Sequence, residues 1–157
     1  MKLSFQKGLC FGMTSGVITT LGLMVGLDAG TASKGVVLGG ILTIAIADAC
    51  SDALGMHLSE ESQGKDHADI WETTFATAGV KFFTAMTFAL PFFFLDLSAA
   101  VLTSGTWGFS VLAVLSYFIA RFNREVAWKV IGEHLVIAGL VVIVSHYLGH
   151  FVATYFQ

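Results

Sequence analysis

Two carboxylates stand inside one of the most apolar parts of this chain, in the stretch IAIADACSDALGMHLSEESQ: Asp48 and Asp52. Met56 and Glu60 continue the same four-residue spacing. At about 100° per residue each such step drifts only about 40°, so the four side chains form a slowly winding stripe on one helix face. An aspartate at the centre of a membrane helix costs about 2.5–3.5 kcal/mol on insertion scales. A helix that carries two of them suggests a polar path for a cation through a helical bundle. Met56 bears on which cation. Carboxylate oxygens alone suit Mg2+ or Ca2+, whereas a thioether beside them favours a softer first-row ion such as Fe2+. An ordinary gap-filling methionine fits the same position, as it does for Met13 and Met24.

Other titratable residues fall at a related depth. Counted inward from the helix ends, Asp52 and Glu133 lie about five residues deep and Asp48 and Lys81 about eight or nine, a layer roughly 7–14 Å below the interface. Charges in a span face the bundle interior and pair with one another. Lys81 with a single carboxylate, or Lys129 with Glu133, is the structural reading of that layer. One ammonium then leaves at least one acid over, either protonated or facing a cation. Close, desolvated carboxylates hold protons more readily, and a bound divalent ion displaces them. That coupling is the minimum needed for metal–proton exchange.

The remaining polar groups are less specific. His57, Glu60, Glu61, Asp66, His67, Asp69 and Glu72 crowd one short connection, where they could gather cations or simply terminate two spans. His146 and His150 are one turn apart near the other end, as a proton relay or as interfacial histidines. Two of His134, His146 and His150 as axial haem ligands would define a different class, an electron carrier. A non-transporting membrane scaffold is a third class. Cys10 and Cys50 both fall in apolar stretches and read as small buried thiols. With no nucleophile–base constellation and no basic patch, the chain reads as neither an enzyme nor a nucleic-acid binder.

The elements that must position these residues follow from composition. Of 157 residues, 55% are hydrophobic and only 12% charged, where a soluble domain would carry about 25%. Mean hydropathy is +0.79. The fold expected is an all-α membrane protein, one domain of five transmembrane helices at about 8–27, 35–57, 73–94, 99–120 and 126–148, each near the ~20 residues that cross a bilayer core. Short connections at 28–34, 58–72, 95–98 and 121–125 leave no room for a soluble domain. The first apolar run exceeds a signal-peptide core and reads as a retained span. Lys2, Lys7, Lys65, Arg121, Arg124 and Lys129 fall on one side and Lys34 on the other, which places the N-terminus in the cytoplasm and the C-terminus outside or in a lumen.

Glycines mark where helices approach. Gly8, Gly12 and Gly16, then Gly22, Gly26 and Gly30, give the first span two small-residue faces. One is expected to pack within the subunit and the other against a second copy. Gly35, Gly39, Ala45, Ala49 and Ala53 continue the pattern in the second span. Pro91 is expected to end or kink the third. Phe82, Phe83, Phe88 and Phe92–Phe94 are expected to face lipid or fill gaps.

ACSDALGMHLSEESQ, residues 49–63, resembles the second helix of the vacuolar iron transporter family, whose pattern there is approximately A-C-S-M-A-x-G-E-x-x-S-x-x-S-Q. FGMTSGVITTLGLMVGL resembles that family's first helix, ALPFF the proline-bearing end of its third, and Gly132–Leu135 with the following span its fifth. The resemblance implies a five-helix homodimer in the lipid bilayer with its pathway between subunits. Its substrate would be Fe2+ or Mn2+, carried out of the cytoplasm in exchange for protons, with no permanently bound cofactor. Asp48, Asp52, Met56 and Glu60 would line the path, with Glu133 and Ser15 as further candidates. Ser15 stands where the family has an aspartate, Asp52 where it has methionine, and Met56 where it has glutamate. The long glutamate-rich cytoplasmic insertion found in many members is replaced by about fifteen residues. A relative that moves another cation, or protons alone, is the alternative. The expected setting is a prokaryotic inner membrane, with a vacuolar membrane as the alternative.

Overall fold

A computed structural model describes residues 2–156. Among them the chain forms five helices: α1 (Leu3–Thr31), α2 (Lys34–Ser62), α3 (His67–Phe94), α4 (Leu97–Asn123) and α5 (Ala127–Phe156). Each is long and apolar enough to cross a membrane, and the protein is a multi-pass membrane protein. Every helix is longer than its apolar window. The connection expected over 58–72 shrinks to the four residues between Ser62 and His67. Charge ends the lipid-compatible stretch there without ending the hydrogen-bonded helix.

Tight turns reverse the chain between helices. Ala32 closes α1 in the left-handed region (φ 46°), its N–H bonded to Asp28 O, and the Ser33 side chain accepts from Val36 N to start α2. Gly64 (φ +66°) and Arg124 (φ 59°) turn the chain after α2 and α4. Lys34 Nζ donates to Leu95 O at 2.8 Å, covering a carbonyl at the end of α3. Pro91 does not stop α3 at once. The helix runs through it and ends at Phe94, one turn on.

α1 is the central helix, packed against all four others, and α2 packs on α1 and α3. Both glycine faces of α1 are used inside the subunit, which corrects the expectation that one would meet a second copy. A Cβ added at Gly8 would stand 2.7 Å from Thr73 O, and one at Gly12 2.8 Å from Thr77 O, both on α3. On the other face Gly22, Gly26 and Gly30 lie against Val141, Ser145 and Gly149 of α5, where a Cβ on Gly149 would reach Gly26 O at 2.2 Å. The phase jump between the two glycine sets brings two different helices onto α1.

The small residues of α2 divide differently. Ala45, Ala49 and Ala53 are buried. Gly35, Gly39, Thr43, Ala47, Ser51 and Gly55, again four apart, are all exposed. Phe88 and Phe92 fill the core with Val17, Leu21, Met24, Ile41 and Leu112, whereas Phe83, Phe93 and Phe94 point outward.

Candidate functional site

The largest fully buried side chain is a lysine. Lys81, on α3, is 1% exposed. Its stem packs against Gly16 of α1, where an added Cβ would lie 3.4 Å from Lys81 Cγ. The stem carries the ammonium to the place where α1 and α2 meet. There Lys81 Nζ donates to Ser15 Oγ at 2.8 Å and to Asp52 Oδ2. It also lies 2.5 Å from Asp48 Oδ2. That last contact pairs the charges without the alignment of a hydrogen bond, so Asp48 Oδ2 is left with no hydrogen-bond partner. Ser15 Oγ in turn donates to Asp52 Oδ2 at 2.6 Å.

The helical spacing of Asp48 and Asp52 thus does what the sequence pattern suggested, presenting both carboxylates to one point. The partner differs from the expectation. The sequence leaves at least one acid unpaired to face a cation, with Lys81 on a single carboxylate as the alternative. In the structure Lys81 contacts both Asp48 and Asp52, because an ammonium has three donors and the two acids are one turn apart. With all three groups ionised the cluster carries one net negative charge. Its carboxylates remain partly open, with side-chain exposures of 24% for Asp48 and 22% for Asp52. They sit at the border between the buried face of α2 and its small, exposed face.

The other expected site residues lie apart from the cluster. Met56 is half-buried, one turn along the stripe from Asp52. Glu60 is 4% exposed and receives Lys7 Nζ of α1 at 2.8 Å. Glu133 does not join the cluster. It is exposed on α5, which packs on α1 and α4, and it borders a crevice with Arg124, Glu125 and Lys129. Equal depth in the sequence says nothing about which side of a bundle a residue faces. Among the described residues, no three His, Cys, Asp or Glu side chains come together as a metal centre.

Residues beyond the stripe were missed because they depend on helix register. Ser4 Oγ contacts Glu72 at 2.6 Å and Asp69 at 3.3 Å, tying the start of α1 to α3. His57 Nδ1 is 3.0 Å from Thr74 Oγ1, and its ring meets Trp71 edge-on. The acids expected to crowd a loop are therefore partly committed to holding helices. His134 Nδ1 lies 2.7 Å from Ser116 Oγ, which also donates to Leu112 O at 2.6 Å, so the ring is tied to α4. His146 and His150 are exposed. Cys50, expected to be buried, is exposed on α2.

Compared with known proteins, the chain matches no family model and no curated protein.

Proposed function

We propose that the protein is a proton-coupled divalent-cation transporter in which Asp48, Asp52 and Ser15 take the ion and Lys81 is the cation they hold in its place. The single observation that carries this reading is the buried ammonium shared by two carboxylates that are each still about a quarter open. An ammonium between two acids occupies the position a small cation would need. Among the described groups, Lys81 reaches no further acid to which it could move. Loading is therefore an exchange: the ion takes the carboxylates, and Lys81 gives up a proton and stays as a neutral amine. A divalent ion with two carboxylates and a neutral amine is uncharged, so the loaded cluster suits a low-dielectric span. At least one proton leaves per ion bound.

Two carboxylates and a hydroxyl are oxygen donors, which suits Mn2+ well, and Met56 one turn away adds a donor that favours Fe2+. The family resemblance of α1 and α2 supports the same pair of substrates and export from the cytoplasm. It also supports a homodimer. The exposed small face of α2 (Gly35, Gly39, Thr43, Ala47, Ser51 and Gly55) is where a second α2 could approach closely, beside the carboxylates. The lysine and arginine distribution supports a cytoplasmic N-terminus, and the short connections a prokaryotic inner membrane.

Uptake of Mn2+ into proteoliposomes tests the reading. Asp52→Asn is expected to abolish uptake while leaving the oligomer intact; uptake at the wild-type rate would overturn the assignment. One observation favours a second reading, a non-transporting scaffold: all the charge of Lys81 is already committed. In that case added Mn2+ or Fe2+ releases no protons from the purified protein.

A further inference from the structure

A third carboxylate of α2, Glu60, is also held by a lysine, this time from α1. Lys7 meets Glu60, Ser15 meets Asp52, and the Leu27 and Leu23 side chains cover Gly40. These contacts share one antiparallel register, each step along α1 matched by an equal step back along α2. Two turns, roughly 12 Å, separate the Lys7–Glu60 rung from the Ser15–Asp52 rung. The same register places Phe11 opposite Met56 halfway between them. The seam therefore carries, from the N-terminal end of α1 inward, the Lys7–Glu60 pair, the level of half-buried Met56 and exposed Phe11, and the Lys81 cluster.

Glu60 is unusual for its position. Ser59, Glu61 and Ser62 around it are exposed, as expected at a helix end, yet Glu60 is 4% exposed beneath Lys7. Exposed ion pairs contribute little, but a buried carboxylate that loses its partner is strongly penalised. This rung is closed by charge.

Resting on the cation-exchange reading, we propose that Lys7 and Glu60 form the cytoplasmic gate of the path, and that Glu60 is the first carboxylate a divalent cation meets there, in exchange for the Lys7 ammonium. Both α1 and α2 are tied to α3 at this end, α2 by His57 Nδ1 at 3.0 Å from Thr74 Oγ1 and by its ring against Trp71. α1 is tied to α3 at this end by Ser4 with Glu72 and Asp69, by Thr73 Oγ1 donating to Ser4 O at 3.1 Å, and by the close approach of Gly8. Between α1 and α2 the hydrogen-bonded link at this level is Lys7–Glu60. Opening separates the last turns of α2 from α1 at the Lys7–Glu60 rung, by a displacement that either pivots on the His57–Thr74 contact with α3 or releases it, and uncovers Met56 and then Asp52.

The test places a single cysteine, Met56→Cys, in a Cys10→Ala, Cys50→Ala background. A membrane-impermeant thiol reagent is applied to inside-out vesicles. Lys7→Gln is expected to raise the labelling rate at position 56 on the order of tenfold or more, as loss of a buried pair implies. Glu60→Gln is expected to act in the same direction. The charge-reversed double variant Lys7→Glu, Glu60→Lys is expected to return the rate to near that of the parent, which separates gating from a general loss of folding. Labelling that ignores both single variants, or a double variant as fast as Lys7→Gln, overturns the gate. Labelling does not require transport, so the two readings fail separately. Mn2+ uptake by wild type with unresponsive labelling removes the gate alone, and responsive labelling without uptake in wild-type protein removes the exchange reading.

Discussion

Replacing Lys81 with methionine keeps most of the side chain's length and removes its charge. In the structure this leaves Asp48 and Asp52 facing each other across one helical turn with Ser15 as their neutral neighbour. Breaking a buried pair by deleting one partner costs about 3–5 kcal/mol. The acids here retain about a quarter of their side-chain exposure, so the lower end applies, about 3 kcal/mol, or roughly a hundredfold in the folding equilibrium at ~1.4 kcal/mol per tenfold. Asp52→Asn removes the surplus charge and leaves Lys81 paired with Asp48, so its own cost is below about 1 kcal/mol. The double variant Lys81→Met, Asp52→Asn then recovers more than about 1 kcal/mol of the Lys81→Met loss, a coupling typical of groups in one network. Reversible unfolding in mixed micelles measures all four corners of this cycle. Additive effects, or a Lys81→Met protein within about 0.5 kcal/mol of wild type, would refute the shared-ammonium geometry.

Three further outcomes follow from the packing. Gly149→Ala forces a Cβ toward Gly26 O, where the ideal position is only 2.2 Å away. It is expected to lower stability by about 1–3 kcal/mol through overpacking of α1 on α5, read by the same unfolding assay. Gly39→Ala meets nothing within 4 Å inside the subunit; it leaves monomer stability within about 0.5 kcal/mol but weakens self-association if α2 forms the dimer contact, as light scattering in detergent would show. Cys50, exposed on α2, is expected to cross-link two copies under mild oxidation in a Cys10→Ala protein. An exclusively monomeric band would argue against α2 as the interface.

The sequence carried the helices and the stripe because lipid makes both legible. Runs of about twenty apolar residues have few alternatives in a bilayer, and a four-residue spacing puts Asp48 and Asp52 on one face wherever the helix lies. What it could not carry was register between helices. Counted from the expected span ends Glu133 and Asp52 are equally deep, yet only Asp52 lies on a helix packed against Lys81. The same limit hid Lys7 and Ser4, whose partners are fixed by how far α1 slides along α2 and α3. Glycine spacing correctly marked close contacts on α1, but small residues fit an intramolecular neighbour as well as a second subunit, and both of its faces proved to be used within the chain.

Proton release on metal binding tests the exchange of Lys81 for a cation most directly. Purified protein in weakly buffered detergent solution is titrated with Mn2+, or anaerobically with Fe2+, while a pH indicator counts protons. The account predicts at least one proton released per ion bound by the wild type, and none from the Asp52→Asn protein. Saturating metal that releases no protons from the wild type would contradict it.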